Sequence, residues 1–303
     1  MHSLHSSSSL AAASLAAPAI LPSAEPASLT PGQAFAEAYA EAGTSARVDF
    51  PITITDSFPG FRRRPRIAMR ALFKTVKAEG PEATHFFETR PGEAAKRVRD
   101  EALRLEAGFD FQCGKVPLQP TRAWVQVPEA LLADPVALAT FIDFRLLVRL
   151  GTAENQSLAL GKGGDQMRGL LEMPNLRRLP ALADPVTSLL AACEHVEQMG
   201  GSADGIVMNP ADYFQYLFPR QDVLIGLANL GIRIVRTRMI NAGQAIVGDF
   251  YAGATIFDSQ RSTIAFDRPP EGTFARDGLA VRGEIKTALA IHLPTHFSIA
   301  ALA

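Results

Sequence analysis

The residues of this sequence that could do chemistry are few, and their spacing decides what chemistry is open to them. Beyond the N-terminal stretch the histidines are His85, His195, His292 and His296, and no pair has the HExxH spacing that puts two imidazoles on one helix face with a carboxylate. Cys113 and Cys193 form neither a CxxC pair nor a zinc spacing, so two free thiols in a reducing compartment are expected. Cys193 and His195, two positions apart, fall on nearly opposite sides of a helix. "GKGGDQMRGLLEMP" (161–174) imitates a phosphate cradle, but Lys162 is followed by Gly163 where a P-loop needs Ser or Thr for magnesium. A flexible loop is expected there. There is no GxSxG elbow. Asp249 comes nearest to a carboxylate isolated in an apolar run, within "INAGQAIVGDFYAGATIFD" (240–258), yet an Asp in a Gly-Asp-Phe corner is expected to bond its own turn. The residues therefore nominate no catalytic group, no cofactor and no metal.

The remaining chemical signal is charge. Arg62, Arg63, Arg64, Arg66, Arg70, Lys74 and Lys77 form a basic cluster in a chain whose net charge is −1. Such a cluster either contacts phosphates or forms a solvated or intersubunit face paired with carboxylates such as Glu79, Glu82 and Glu88. No aromatic residues interleave the cations to make a stacking platform, which favours the second reading.

The elements that would position these groups follow from pattern. With 47 % apolar residues, 303 positions hold a substantial core, and no run of eighteen apolar residues marks a membrane span. The first thirty or so residues are rich in Ser, Ala and Pro; they lack the basic start of a secretory leader, so a low-complexity arm is expected. Thr30 to Gly43 reads as a short helix, with Thr30 as cap, Pro31 in the first turn and Gly43 as stop. "PITIT" (51–55) has strand chemistry and "SFPG" turn chemistry. From Glu79 to about Val116 the chain is polar and alternates in sign, too poor in large apolar residues to bury itself. "TRAWVQVP" is a strand. Asp134-Pro135 opens a long apolar helix through Val136, Leu138, Phe141, Ile142, Leu146, Val148 and Leu150, a spine for other elements. Asp184-Pro185 opens a second helix that ends at Gly200. Gly205–Met208 is a buried strand running into an Asn209-Pro210 helix start. "GIRIVRTRMINAGQAIVGDF" reads as strand, glycine turn and strand, a hairpin-like unit. A last long strand alternates around Val281, Ile285, Leu289 and Ile291.

In this order the pieces resemble the major capsid proteins of tailed phages with the Hong Kong 97 fold, shared with the bacterial encapsulin nanocompartments. The likeness covers roughly Phe58 to Ala303. It rests on "VQVPEALLADPVALATFIDFRLLVRLGTAENQSLALGKGGDQMRGLL", on the strand-Asn-Pro-helix unit "GIVMNPADYFQYL", on the Gly-Asp-Phe corner (Gly248, Asp249, Phe250) after "GIRIVRTRMINAGQAIV", and on the closing "RGEIKTALAIHLPTHFSIAAL". The resemblance implies an α+β Hong Kong 97 phage capsid fold. It divides the chain into an N-terminal arm with a short helix (1–57), a basic lead-in (58–78), an extended loop laid across a neighbour (79–116), a peripheral domain with spine helix (117–180), an axial domain (181–258), and return strands with a C-terminal axial segment (259–303). The corner is then an architectural turn near the symmetry axes.

The implied function is a self-assembling, non-enzymatic icosahedral shell whose main partner is the chain itself, with no membrane; the alternative from another class is a soluble α+β enzyme or binding module of unrecognised type. The contents are a cargo protein in a cytoplasmic nanocompartment or, in a virion, DNA, with scaffold and portal proteins as further partners. The lack of a long charged scaffold region leans the expectation toward the nanocompartment. Arg62, Arg63, Arg64, Arg66, Arg70, Lys96 and Lys115 are the candidates for intersubunit or interior contacts. Some relatives join a loop Lys to a neighbour's Asn; Lys96 and Lys115 lie in the loop region here, but no partner is matched.

Overall fold

The computed structural model of the chain describes residues 29–50, 68–88, 111–174, 176–259, 262–267 and 279–302. The expected strand "PITIT", Arg62, Arg63, Arg64, Arg66 and Lys96 lie outside them.

Helix α1 (Pro31–Ala42) starts as its sequence dictates. The Thr30 hydroxyl accepts from the Gln33 amide at 3.1 Å, and Gln33 Oε1 accepts from the Thr30 amide at 2.9 Å, a reciprocal cap closed by Gly43 at the far end. The helix buries a thin apolar stripe. Phe35 is fully buried, and Phe35 and Tyr39 both meet Phe266 ring to ring.

The spine, α2, begins at Asp134, whose carboxylate accepts from the amides of Val136 and Ala137. It runs as Pro135–Phe141, widens into a π turn at Ile142–Leu146 and continues as Leu147–Leu160. Leu138, Ile142, Leu146, Leu150, Glu154 and Leu158 recur every fourth residue along it and are all buried. A strict spacing of four drifts around a 3.6-residue helix, and one wider turn brings the row back toward the core.

Strand β1 (Arg47–Phe50) follows α1; β2 (Lys74–Lys77), β3 (Glu82–Glu88), β4 (Phe111–Pro117) and β5 (Gln119–Gln126) precede the spine. After it come β6 (Arg177–Leu179), α3 (Pro185–Gln198), β7 (Gly205–Met208), and α4, formed by Pro210–Asp212 and the π turn Tyr213–Leu217. Then follow α5 (Gln221–Asn229), β8 (Arg233–Arg236), β9 (Gln244–Gly248), the short turn α6 (Phe250–Gly253), β10 (Ala254–Asp258), β11 (Ser262–Asp267), β12 (Ala280–Ile291) and β13 (Phe297–Ala301).

Among the described residues, six strands form one sheet around β12. Strand β5 pairs with β12 antiparallel through Ala280↔Gln126 to Thr287↔Gln119. β11 and β10 are both antiparallel to β12, through residues 280–284 and 287–291 respectively, with β1 outside β11 and β2 outside β10. The first half of the spine and α1 cover this sheet through Leu138, Ile142, Leu146, Leu150, Val125, Ile264, Val281 and Ile285.

A second sheet of five strands has the order β6-β13-β9-β7-β8. All four residues of β7 are buried because the strand is covered on both faces. Ile206 and Met208 join a core under α3 that includes Leu189 and Val196, while Val207 joins a core at the end of the spine with Leu158, Phe250 and Phe297. The hairpin-like unit expected from "GIRIVRTRMINAGQAIVGDF" is not one. β8 and β9 flank β7, parallel and antiparallel to it respectively, so the Gly243 turn carries the chain over a strand rather than back along itself. Nor is 161–174 simply a flexible loop. The Gly169 amide donates to the Gly161 carbonyl at 2.7 Å, Lys162 and Arg168 form a bridge, and Met167 and Leu170 are buried.

β3 and β4 form a separate two-stranded antiparallel ribbon, from Glu82↔Pro117 to Glu88↔Phe111. It is the described part of the polar stretch expected to lack a core of its own. Isolated two-stranded ribbons are marginal in water, so this one depends on what it touches.

Candidate functional site

The most heavily charged buried point of the described chain is built on Arg70. A 3-10 turn, Met69–Leu72, lays this residue against the second half of the spine, anchored by the Met69 amide donating to Asn155 Oδ1 at 3.0 Å. The Arg70 guanidinium donates through Nε to Glu154 Oε1 at 2.9 Å and through a second nitrogen to the same oxygen. It also spans Asp258, Nη1 to Oδ2 at 2.6 Å and Nη2 to Oδ1 at 3.0 Å. All three side chains are less than a tenth exposed. Burial alone would lower the Arg70 pKa, but Glu154 and Asp258 more than offset it and hold the guanidinium charged. Asp258 is pushed up from its ordinary value, mainly by burial, against the pull of Arg70 and with the push of nearby Glu154. One cation between two carboxylates clamps turn, spine and strand β10 together. This corrects the expectation for Arg70, which belongs to no exposed basic face and is closed to a neighbouring subunit. Lys74 and Lys77, on β2, are exposed.

At the corner Gly248, Asp249 and Phe250 the Asp249 carboxylate bonds main chain. Asp249 Oδ1 accepts from the Ala252 amide at 3.0 Å, capping its own turn, and Oδ2 accepts from the Ser202 amide at 3.1 Å. Asp204 accepts from the amides of Phe250 and Tyr251 at 2.8 and 2.9 Å. Burial raises the Asp204 pKa, those two amides oppose the shift, Asp249 adds to it and Arg233 opposes it. A Cβ on Gly248 would meet the Phe297 ring at 2.4 Å, so the ring packs where only hydrogen fits. His296 Nδ1 lies 3.5 Å from Asp249 Oδ2 without hydrogen-bond alignment, and its backbone carbonyl accepts from the Asp249 amide at 3.0 Å. Every Asp249 oxygen is thus engaged in holding main chain.

The histidines sort by place. His292, one residue past β12, ties the ribbon to the body. Its Nδ1 is 2.8 Å from the Phe86 carbonyl, its Nε2 2.8 Å from the Thr255 hydroxyl, and the Glu88 amide donates to its carbonyl at 2.9 Å. Beside that tie opens a groove of about 860 Å³ between ribbon, glycine loop and β12, lined by Phe87, Lys115, Pro117, Met167, Met173 and Leu289 among others. Lys115 is exposed at its edge. Cys193 is buried and its thiol pushed up to about 11 by burial and by Glu197, whereas Cys113 is exposed; both are free. Among the described residues no group of three or more His, Cys, Asp or Glu could hold a metal, and no helix is long and apolar enough to cross a membrane.

Large apolar side chains nevertheless face outward. Phe214 and Phe218 on and just past α4 are about half exposed, with ring centroids 5.6 Å apart, and Ile225 and Leu230 on and beyond α5 are 60 % and 74 % exposed. The Arg236 guanidinium lies over the Tyr213 and Phe214 rings, 4.8 and 5.5 Å from their centroids.

Sequence reasoning missed the Arg70 cluster, though two signals were present. Glu154 occupies the fourth-residue row of Leu138, Ile142, Leu146, Leu150 and Leu158, a carboxylate on a buried stripe. Asp258 shares its strand face with Ala254 and Ile256. Arg70 itself carries no local mark that separates it from its basic neighbours.

Residues 62–215 match the phage capsid family. The major capsid protein of Enterobacteria phage HK97 is 27 % identical over 212 residues, 65 % of this chain and 55 % of that protein, so the chain spans little more than half the length of this curated relative. Among solved structures, a virus-like particle from Pyrococcus furiosus aligns with a TM-score of 0.55 at 16 % identity, over 78 % of this chain and 92 % of that one. A capsid chain of the native GTA particle gives 0.54 at 16 % identity over 78 % and 90 %, and a Mycobacterium phage Adephagia chain 0.52 at 15 % over 76 % and 88 %. The fold is the α+β Hong Kong 97 capsid fold, and the chain belongs to the phage capsid family.

Proposed function

We propose that this chain is the repeating subunit of an icosahedral shell closed by many copies of itself, and that the shell is a phage-type head enclosing DNA. A shell-forming structural role follows from the family; the contents and the division of labour along the chain are our reading. The observation that carries it is the ribbon β3–β4. It stands outside all three buried clusters of the described chain, which suits an extended loop (79–116) completed by a neighbouring copy. In this reading residues 117–180 with the return strands form the peripheral domain, 181–258 the axial domain, and the exposed face of α4 and α5 a contact between copies. Arg62, Arg63, Arg64, Arg66 and Lys96 are contacts to neighbours or to the contents, with scaffold and portal proteins as further partners. The 27 % identity to a phage major capsid protein supports the phage head.

The nanocompartment with a protein cargo is the second reading.

The test is to purify particles from cells that express the chain and measure their absorbance ratio at 260 and 280 nm before and after nuclease. Nuclease-resistant DNA inside the particles is expected; empty or protein-filled particles would shift the assignment to the compartment.

A further inference from the structure

Two imidazoles meet where the ribbon packs against the body. His85 on β3 and His292, just past β12, face each other with ring centroids 5.8 Å apart, and His85 also stacks on Phe87 at 5.5 Å. His292 is satisfied as a neutral ring. Nδ1 faces a carbonyl, which only accepts, so it donates to Phe86; Nε2 is then free to accept from the Thr255 hydroxyl. His85 Nδ1 is buried with no partner. A proton placed there would be an unsatisfied buried N–H and would bring a cation against the second imidazole. The charged groups lining the adjoining groove are Glu88 and Lys115 on the ribbon and Arg168 across from it, so cations outnumber the single anion.

We infer that His85, facing His292, is a proton-sensitive latch that holds the ribbon to the body when its ring is neutral and releases it in acid. Burial and the facing His292 both hold the His85 pKa below its ordinary value, against the Gly114 backbone. A lowered histidine contributes docking strength that is present above its ordinary value near 6.5 and is lost as pH falls below it. A ring protonated only when undocked shifts the docking equilibrium about tenfold between pH ~7.5 and ~5.5. The link from latch to shell, by way of a loop whose direction changes with pH, rests on the proposed function. The latch itself does not.

Hydrogen–deuterium exchange of the full-length chain at those two pH values, corrected for the intrinsic pH dependence of exchange, reads the latch directly. Amides of 82–88 and 111–117 should exchange about tenfold faster in the acid sample, while those of 205–208 stay level. His85→Phe, which keeps a ring of similar size and cannot ionise, should abolish the difference; His85→Gln serves if the larger ring disturbs folding. The latch is overturned by equal ribbon exchange at both pH values, by an equal acid response in 205–208, or by variants that keep the wild-type response. Particle formation, scored separately, keeps the two claims apart. An acid response without particles defeats the shell and leaves the latch, and particles without the response defeat the latch alone.

Discussion

Arg70 and Asp258, 188 residues apart in sequence, face each other as a two-pronged ion pair at 2.6 and 3.0 Å, with Glu154 on the other side of the same guanidinium. Water is largely shut out of the cluster, so its worth depends on every member being present.

Arg70→Met should therefore be severe. It leaves two carboxylates buried side by side without their cation, at a cost of roughly 3–5 kcal/mol, read as a lower urea midpoint at neutral pH. Replacing Arg70, Glu154 and Asp258 together with apolar residues of similar volume should recover most of that loss. A single variant as stable as the wild type would show that the clamp holds nothing.

Helix α1 meets the spine at glycine. A Cβ on Gly32 would lie 2.1 Å from the Ala139 carbonyl oxygen and 2.8 Å from the Asp143 carboxylate, which accepts from the Gly32 amide at 2.8 Å. Gly32→Ala should push α1 away from the spine and cost about 1–3 kcal/mol, with faster proteolysis of 31–42 as the readout. Unchanged protection of that segment would contradict the packing.

Asp143 makes stability depend on pH. Burial raises its pKa, opposed by the Thr30 hydroxyl and the Gly32 amide. Its folded form holds a proton more readily than the unfolded chain, so its contribution is full below about 3.8 and is lost as pH rises through the raised value. Asp143→Asn keeps the oxygen that Gly32 uses and cannot ionise. The decline in stability between about pH 4 and about pH 7 should be shallower in this variant, measured by urea midpoints across that range. A steeper decline would reverse the assignment.

How far these features could be read from the sequence depends on the distance over which they are encoded. The caps at Thr30, Asp134 and Asp184 are set by neighbours two or three residues away and were legible. So was the spine, whose apolar row repeats within one helix. The order of β7, β8 and β9 was not, because an apolar strand buried on both faces carries no mark of which strand lies beside it. The Arg70 cluster draws on three segments, and one arginine among seven clustered cations looks like the rest until the fold selects it.

Phe214 and Phe218 test the surface assigned to contacts between copies. Changing both to Ser should alter the stability of the chain by no more than about 0.5 kcal/mol, yet lower the yield of particles by size exclusion. Arg62, Arg63 and Arg64 changed together to Glu should do the same. Full particle yield from either variant would remove those residues from the interface.

Electron microscopy of the purified full-length chain bears most directly on whether this protein is a shell subunit. Closed particles of uniform diameter are expected. A chain that remains a stable monomer at high concentration, with the ribbon protected from exchange along its whole length, would contradict the account.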